Sequence, residues 1–270
     1  MEFVDTHCHI QSVGEKGGER TTLELWAKAG DLTSSEVIAQ AEQAAVMKLL
    51  CVGCDLEDSA LAVHFVQDKP QCWASIGIHP HEAQQYAGRS ELLSEFASLA
   101  ARPKVMAIGE CGLDYYYNHS SKAAQFELLE FQLALAQQHK LPLIFHVREA
   151  FDDFWPIFDR YPGIQGVIHS FTADEQQLEN ILQRELFVGL NGIMTFTKNP
   201  AQLAAAKAVP LQKLLLETDA PFLTPTPYRG TINQPKNVRV VGEFLAKLRG
   251  DSLEALARVT TANAQSLFGI

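Results

Sequence analysis

The chain begins MEFVDTHCHI (residues 1–10), in which Phe3 to His7 is a short β-rich run. No G-x-G-x-x-G follows it, as a dinucleotide site in an open doubly wound sheet would require. Seven further runs recur with helical-period stretches between them: Leu49 to Gly53, Trp73 to Ile78, Val105 to Gly109, Leu143 to His146, Gly166 to His169, Leu186 to Leu190 and Leu214 to Glu217. Eight strands alternating with helices predict an α/β fold, a closed (β/α)8 TIM barrel.

The stretches between and after the strands support this arrangement. Apolar residues at helical spacing between the fourth and fifth runs are Phe126, Leu129, Leu133 and Ala136. They predict an amphipathic helix from Lys122 to His139. Pro221 to Pro235, with four prolines, predicts an ordered loop across the barrel mouth, and Asn237 to Ile270 predicts closing helices. Because no linker or repeat interrupts the sequence, we expect residues 1–270 to form a single domain.

Composition limits the classes of function. A 270-residue chain with 47% hydrophobic residues can bury a large core. Its formal charge of −10 argues against broad electrostatic binding to nucleic acid or anionic lipid. The sequence lacks a secretory leader pattern and any apolar run of about 18 residues, so we expect a cytoplasmic protein with no membrane segment. The odd, scattered set of cysteines favours reduced thiols: Cys8, Cys51, Cys54, Cys72 and Cys111.

The first strand carries a candidate pair of metal ligands. A strand period of two places Asp5, His7 and His9 on one face, with both histidines near the carboxyl end of the strand. Two imidazoles on one face can share a metal ion. Asp5 lies deeper and is expected to support the ligands rather than to bind metal itself.

Other metal-binding residue types occur where later strands end, namely Glu110, His146, His169 and Asp219. In a TIM barrel these strand ends meet on the face that holds the active site. One metal cluster would satisfy all of these polar groups together, whereas separate core roles would need a partner for each.

The donor count predicts two divalent ions. His7, His9 and Asp219 would hold one ion, His146 and His169 the other, and Glu110 would bridge them. Mixed nitrogen and oxygen ligands suit Zn²⁺, Mn²⁺ or Fe²⁺, whereas Mg²⁺ prefers oxygen ligands and fits less well. The sequence does not decide which of these four metals is bound.

A pair of divalent ions suits phosphodiester or phosphomonoester hydrolysis, because such ions activate water and stabilise both the attacking and the leaving oxygen. Glu110 and Asp219 are therefore the candidate catalytic residues. Asp219 would either accept the proton of the attacking water or serve only as a ligand.

Four further residues are predicted to bind substrate near the mouth. His79 lies in GIHPH (residues 77–81) and could donate to a phosphate oxygen; the role of His81 is ambiguous. Arg148 shares a face with His146, and Arg229 and Asn233 follow the eighth strand. Arginine matches phosphate by bidentate hydrogen bonding, although for either arginine alone an ion pair with a loop carboxylate is as good an interpretation.

Two other features are given no catalytic role. Cys51-x-x-Cys54 suggests a redox or zinc motif, but no second cysteine pair accompanies it and its strand context favours a structural role. Glu217 shares a strand face with Asp219 and could support the ligands or bind an additional ion, so it stays unassigned.

The motifs together resemble the TatD-type deoxyribonuclease family, a branch of the metal-dependent hydrolase superfamily. The resemblance runs nearly end to end through DTHCH (5–9), GIHPH (77–81), AIGECGLDYYY (107–117), FHVREA (145–150), IHSF (168–171), LLLETDAPFLTP (214–225), PYRGTINQP (227–235) and TTANAQSLFG (260–269). It implies a TIM barrel, DNA hydrolysis and metal ligands at His7, His9, Glu110, His146, His169 and Asp219. Exonuclease action on single strands or DNA ends is the leading hypothesis.

Two departures from the family pattern bear on the substrate. Ile10 to Thr33, which contains GEKGGER, is longer than usual and is expected to form a lid or rim over the site. Ser170 stands where many members have cysteine. The alternatives are hydrolysis of another ester or amide, such as an aminoacyl-tRNA ester, and a non-catalytic scaffold, which predicts lost ligands.

Overall fold

The computed structural model describes residues 1–15, 17–117 and 119–270. Eight parallel strands follow one another in sequence order around one sheet: β1 (Phe3–Cys8), β2 (Val46–Val52), β3 (Cys72–Ile76), β4 (Val105–Asp114), β5 (Leu143–Arg148), β6 (Gly166–Ile168), β7 (Phe187–Leu190) and β8 (Leu214–Leu216). The helices are α1 (Arg20–Ala27), α2 (Ser34–Gln43), α3 (Leu56–Phe65), α4 (Ala83–Tyr86), α5 (Ser90–Ser98), α6 (Lys122–His139), α7 (Phe151–Phe158), α8 (Glu175–Gln183), α9 (Pro200–Ala208), α10 (Val238–Arg249) and α11 (Leu253–Phe268). The predicted TIM barrel is confirmed, and α6 has the bounds that the periodicity predicted.

The barrel closes between β1 and the segment that follows β8. The backbone N–H of Asp219 donates to the His7 carbonyl at 2.8 Å, and that of His9 donates to the Ala220 carbonyl at 2.8 Å. Cys8 and Ala220 form the corresponding parallel bridge. Closure therefore occurs at the carboxyl ends of the strands, where the candidate ligands lie.

Apolar packing fills the barrel from its amino end. The inward-facing side chains form one buried cluster with the end of α11: Val4, Leu50, Val52, Ala107, Ile144, Val167, Leu215, Ala264, Leu267, Phe268 and Ile270. The Asn263 side chain on α11 donates to the Leu211 and Leu214 carbonyls at 2.8 Å each. The end of α11, within the predicted closing segment, thus covers the barrel end opposite the candidate site. No helix among the described residues has the length and apolar character needed to cross a membrane.

Strand β4 continues five residues beyond the predicted end at Gly109. Its register with β5 shifts between Ile108 and Cys111, because three steps on β4 face the two from Leu143 to Phe145 on β5. Gly109 has a φ of 137° at this shift. An extra residue of this kind bends a strand and redirects a side chain, which here is that of Glu110.

Close backbone packing at Gly77, just after β3, generates the first prediction. A Cβ atom there would overlap the backbone nitrogen and oxygen of Glu110. We expect Gly77→Ala to lower the free energy of unfolding by about 3 kcal/mol, since backbone cannot give way as a flexible side chain can.

Urea denaturation would measure this loss, with Gly88→Ala as the control. Gly88 also has a positive φ, 72°, but nothing lies within 4 Å of an added Cβ. Only the cost of the left-handed backbone, about 1 kcal/mol, is expected there. Equal losses in the two variants would contradict the packing argument.

Candidate metal centre

The six predicted ligands meet at the carboxyl end of the barrel. Three overlapping groups have ligand atoms within 4.8 Å of one another: His7, His169 and Asp219; His7, His9 and Glu110; and His79, Glu110 and His146. These groups share His7 and Glu110, so they form one continuous cluster. We call it the donor cluster.

Strand β1 supplies two imidazoles that face each other. The Nε2 atoms of His7 and His9 lie 3.3 Å apart. His7 Nε2 is 3.3 Å from Glu110 Oε2, and His9 Nε2 is 3.3 Å from Asp219 Oδ1. His9 Nδ1 is 2.7 Å from the Val52 carbonyl, to which its N–H donates, so its Nε2 is left to face the cluster.

Asp5 holds backbone rather than an imidazole. Its Oδ1 accepts from the Thr218 N–H at 2.9 Å and from the His7 N–H at 3.3 Å. Its Oδ2 lies 2.5 Å from Thr218 Oγ1. Burial is the largest influence on this carboxyl and raises its pKa to about 8. The supporting role expected for Asp5 is thus exerted through the segment that closes the barrel.

His146 is held between two carboxylates. Its Nδ1 lies 2.7 Å from Glu110 Oε1, and its Nε2 lies 2.9 Å from Asp114 Oδ2. Asp114 Oδ2 is also 3.0 Å from His81 Nε2. Burial alone would raise the pKa of Asp114, but the hydrogen bonds to His146 and His81 outweigh it and hold that pKa well below its usual range.

His169 is oriented by Glu217, which the sequence left unassigned. His169 Nδ1 lies 3.0 Å from Glu217 Oε1, as an ion-pair contact outside hydrogen-bonding geometry. The same Oε1 accepts the Ser170 N–H at 2.7 Å. His169 Nε2 then faces Glu110 Oε1 at 3.7 Å and Asp219 Oδ1 at 4.0 Å. The His169 imidazole therefore lies between Glu217 and the other donors.

Asp219 has a strained backbone. Its φ of 59° is in the left-handed region, which a residue with a Cβ adopts at a cost of roughly 1–3 kcal/mol. The closing hydrogen bonds on either side of it hold this conformation, and its carboxylate is thereby directed at His7 and His9.

The buried charges of the cluster are balanced by protonated imidazoles. Burial opposes protonation of His9, His146 and His169, but neighbouring carboxylates outweigh it and raise their pKa values to about 9, 9 and 10. For Glu110, burial is likewise outweighed, chiefly by the charge of His169, and its pKa lies well below normal. The carboxylates of the site thus concentrate negative charge, which protonated imidazoles or a bound cation must offset.

Histidines that are not protonated have a different environment. Burial lowers the pKa of His7, with repulsion from His169 adding to the effect. Burial lowers the pKa of His79 to about 4. His79 Nδ1 accepts the His81 backbone N–H at 3.1 Å, so the remaining proton of a neutral ring lies on Nε2. That nitrogen is 3.5 Å from Glu110 Oε1.

The donors suit a cation such as zinc, manganese or iron. Imidazole nitrogens and carboxylate oxygens converge in a site where His7 is fully buried and Glu110 is 4% exposed. His7 Nδ1 is buried and has no hydrogen-bond partner among the described residues. Two ring nitrogens, those of His9 and His169, are each oriented from behind by a carbonyl or a carboxylate, as is usual for metal-binding histidines.

One predicted grouping differs from the geometry. The sequence paired His146 with His169, whereas the structure groups His146 with His79 and Glu110, and His169 with His7 and Asp219. Strand order explains this difference, because His146 on β5 lies beside the extended β4, which carries both Glu110 and Asp114.

A fourth group contains His9, Cys54 and Asp58, but its atoms are already engaged. Asp58 Oδ2 accepts the Cys54 N–H at 3.0 Å and a Gln11 amide N–H at 3.1 Å. The nitrogen of His9 that faces Cys54 donates to Val52. These contacts agree with a structural role for Cys51-x-x-Cys54.

A cavity of about 750 Å³ opens above the donor cluster. His79, Arg148 and Arg229 all line it. The Arg148 guanidinium lies 3.9 Å from the centre of the Tyr116 ring, and that of Arg229 lies 3.8 Å from the Phe196 ring. Both guanidinium groups are thus held against aromatic rings, that of Arg229 also by a hydrogen bond to the Thr224 carbonyl at 2.9 Å, and neither forms an ion pair among the described residues.

Asn233 does not line this cavity, so the structure gives no support to its predicted role in substrate binding. It is fully buried, and its amide donates to the Thr218 and Phe222 carbonyls at 2.9 and 2.7 Å. Its Oδ1 accepts from the Gln234 N–H and from the Asn237 side chain. Asn233 therefore holds the 221–235 loop in place. The loop itself lies at the mouth, where Phe222 and Arg229 line the cavity.

The segment Ile10 to Thr33 forms part of the cavity rim, although Lys16 within GEKGGER lies outside the described residues. Glu19 and Thr22, at the start of α1, line the cavity. Trp26 on α1 donates its Nε1–H to the His9 carbonyl at 2.9 Å. This helix is therefore attached directly to a residue of the donor cluster.

Sequence reasoning missed Asp114, which binds His146 and His81. It lies beyond the predicted end of the fourth strand, but the period of two continues from Glu110 through Gly112 to Asp114. Extending the strand into GLDYYY would have placed Asp114 on the same face as Glu110.

Comparisons with known proteins agree with this site. Residues 4–269 match the model of the family described as TatD related DNase. The chain is 36% identical to the 3'-5' ssDNA/RNA exonuclease TatD of Citrobacter rodentium over 244 residues, covering 87% of this chain and 91% of that one. It is 33% identical to the metal-dependent hydrolase YabD of Bacillus subtilis over 98% of both chains.

Solved structures show the same architecture. The structure of YJJV, a TatD homologue from Escherichia coli K12, superimposes with a TM-score of 0.86 at 26% identity, covering 99% of this chain and 98% of that one. The family match covers nearly the entire barrel and includes every residue of the donor cluster. The chain therefore belongs to the TatD related DNase family.

Proposed function

We propose that this protein is a metal-dependent nuclease that hydrolyses phosphodiester bonds of DNA, acting on single strands or ends. The observation that carries this proposal is the donor cluster, in which five imidazoles and two carboxylates meet beneath an open cavity. The similarity to a named single-strand exonuclease supports the substrate class. Five free, buried cysteines support action in the cytoplasm, and we propose that the chain acts as one domain.

The proposed ligands of two divalent cations are His7, His9, Glu110, His146, His169 and Asp219, with Glu110 shared between the ions. When bound, such cations supply an activated water and stabilise charge on the attacking and leaving oxygens. Glu110 has one oxygen facing His7 and the other facing His146, which suits a bridging role. Zinc, manganese and iron match the imidazole-rich set better than magnesium does.

The remaining groups position the substrate. His79 has its proton on Nε2 and can donate to a phosphate oxygen beside Glu110. Arg148 and Arg229, at two sides of the cavity, can donate to further phosphate oxygens. Asp219, whose lowered pKa reflects hydrogen bonding and charge from histidines that outweigh its burial, is ionised and can accept the proton of the attacking water.

The first test of this proposal is Glu110→Gln. We expect the turnover of a 3'-labelled single-stranded oligomer, assayed with Mn²⁺ or Mg²⁺, to fall by roughly 10³-fold or more, because several kcal/mol of charge stabilisation is lost. Glu95→Gln, at an exposed position of α5, is the control and should keep full activity. Undiminished hydrolysis by Glu110→Gln would exclude the metal mechanism, and turnover of an ester or amide without DNA cleavage would change the substrate.

Asp114 provides a second test, because it binds His146 on the side away from Glu110. We expect Asp114→Asn to weaken metal binding and to lower activity by about 10- to 100-fold, as is usual when the partner of a metal-binding histidine is lost. Metal titration and elemental analysis would measure the effect. Asp152→Asn, at an exposed position of α7, is the matched control. Unchanged metal affinity would show that His146 needs no such support.

Metal removal should also change stability. At a cation concentration about 100 times its Kd, binding to the folded state adds about 2.7 kcal/mol. We expect the Tm of metal-stripped protein to rise by roughly 5–10 °C on addition of Mn²⁺ or Zn²⁺. Thermal melts should show a smaller rise for Glu110→Gln. Equal shifts in both proteins would indicate that the cation binds elsewhere.

A further inference from the structure

Exposed aromatic side chains are concentrated at one end of the barrel. Among the described residues, the large apolar side chains that remain exposed are Met1, Met47, Tyr116, Tyr117 and Tyr228. The two methionines lie at the amino ends of β1 and β2, opposite the donor cluster. All three tyrosines follow the carboxyl ends of strands; Tyr117 lines the cavity above the donor cluster, whereas Tyr228 lines a separate groove. Adjacent exposed aromatic rings at the mouth of a cavity, here Tyr116 and Tyr117, are typical of an interaction surface.

Tyr116 and Tyr117 form a shelf that is rigidly attached to the metal centre. Their backbone N–H groups both donate to Asp114 Oδ1 at 2.9 Å. The other oxygen of that carboxylate holds His146. The backbone that carries the two rings is thus held relative to the cluster by a single carboxylate.

The shelf leaves the Tyr117 ring partly exposed, between Arg148 and His119. Arg148 covers Tyr116, with its guanidinium 3.9 Å from that ring centre and 5.0 Å from the centre of Tyr117. Tyr117 is 42% exposed and lines the cavity together with His119 and Arg148. Tyr117 and His119 are nearly parallel, with ring centres 5.7 Å apart.

We propose that this shelf, centred on Tyr117, is a subsite that stacks the unpaired base next to the scissile phosphate of a single-stranded nucleic acid. The inference rests on the proposed nuclease function and specifies how that site selects its substrate. A flat ring beside a guanidinium matches a base joined to a phosphate, since the ring stacks on the base and Arg148 donates to the phosphate. Bases in a duplex are paired and stacked on one another, so the subsite selects single strands.

Stacking on Tyr117 predicts recognition with little sequence preference, because every base presents a π face. It also explains how an acidic protein holds a polyanion. Affinity comes from the aromatic shelf and from a few phosphate contacts near the cations rather than from a basic track.

The test compares Tyr117→Ala with Tyr117→Phe on a single-stranded oligomer and on the same oligomer with abasic terminal positions. We expect Tyr117→Ala to raise KM by about 10- to 100-fold on the normal oligomer, with kcat little changed. Tyr117→Phe keeps the stacking face and should match the wild type. On the abasic oligomer the wild type should already show the raised KM, and Tyr117→Ala should add little to it.

Met47→Ala, which shortens an exposed side chain at the opposite end of the barrel, is the control. An unchanged KM for Tyr117→Ala, or the same rise on both oligomers, would overturn the stacking subsite while leaving the nuclease function intact. Absence of cleavage by the wild type would instead overturn the proposed function. Fluorescence anisotropy of a labelled oligomer with Glu110→Gln, with and without Tyr117→Ala, tests the subsite without turnover, and equal affinities would reject it.

Discussion

The hydrogen bonds between β1 and the segment after β8 hold together both the barrel and its chemistry. Asp219 donates its backbone N–H to His7, and His9 donates to Ala220, so the bonds that close the sheet join three residues of the donor cluster. Asp5 reinforces the junction by accepting from Thr218 and His7. Since the strained backbone of Asp219 depends on these bonds, loss of closure would release its carboxylate from the site. The same junction between β1 and the segment after β8 therefore maintains both the fold and the candidate site.

Burial of like charges is the second constraint. Glu110 and Asp219 lie together in a site of low exposure, and isolated ionised carboxylates cannot be buried without compensation. In the protein alone, neighbouring carboxylates outweigh burial and raise the pKa values of His9, His146 and His169, so protons on these imidazoles provide positive charge. A bound cation would displace such protons, so metal binding and protonation compete for the same nitrogens.

Much of the fold and most of the cluster could be predicted from sequence. Strand periodicity can be seen in short stretches of sequence, and in parallel barrels the active site generally lies at the carboxyl ends of the strands. Those rules place His7, His146 and His169 at one end of the barrel without any coordinates. They do not indicate where a register shift occurs, so the continuation of β4 to Asp114 was missed. For Asn233, the sequence predicted a role in substrate binding that the structure does not support. An amide in a loop can bind substrate or backbone, and only the structure shows its four hydrogen bonds to the protein.

Asp114 connects the metal centre to the rim of the cavity. One of its oxygens contacts His146 and His81, while the other accepts the backbone of Tyr116 and Tyr117. A single buried carboxylate thus fixes both a candidate metal ligand and the exposed aromatic shelf. Catalysis of this kind depends on holding the reacting atoms about 3–3.5 Å apart, because a misplacement of about 1 Å can cost about 100-fold in rate. An aromatic surface attached to the metal ligands would meet that requirement. Because Asp114 contacts both His146 and the backbone of the shelf, a movement of the end of β4 would shift the two together.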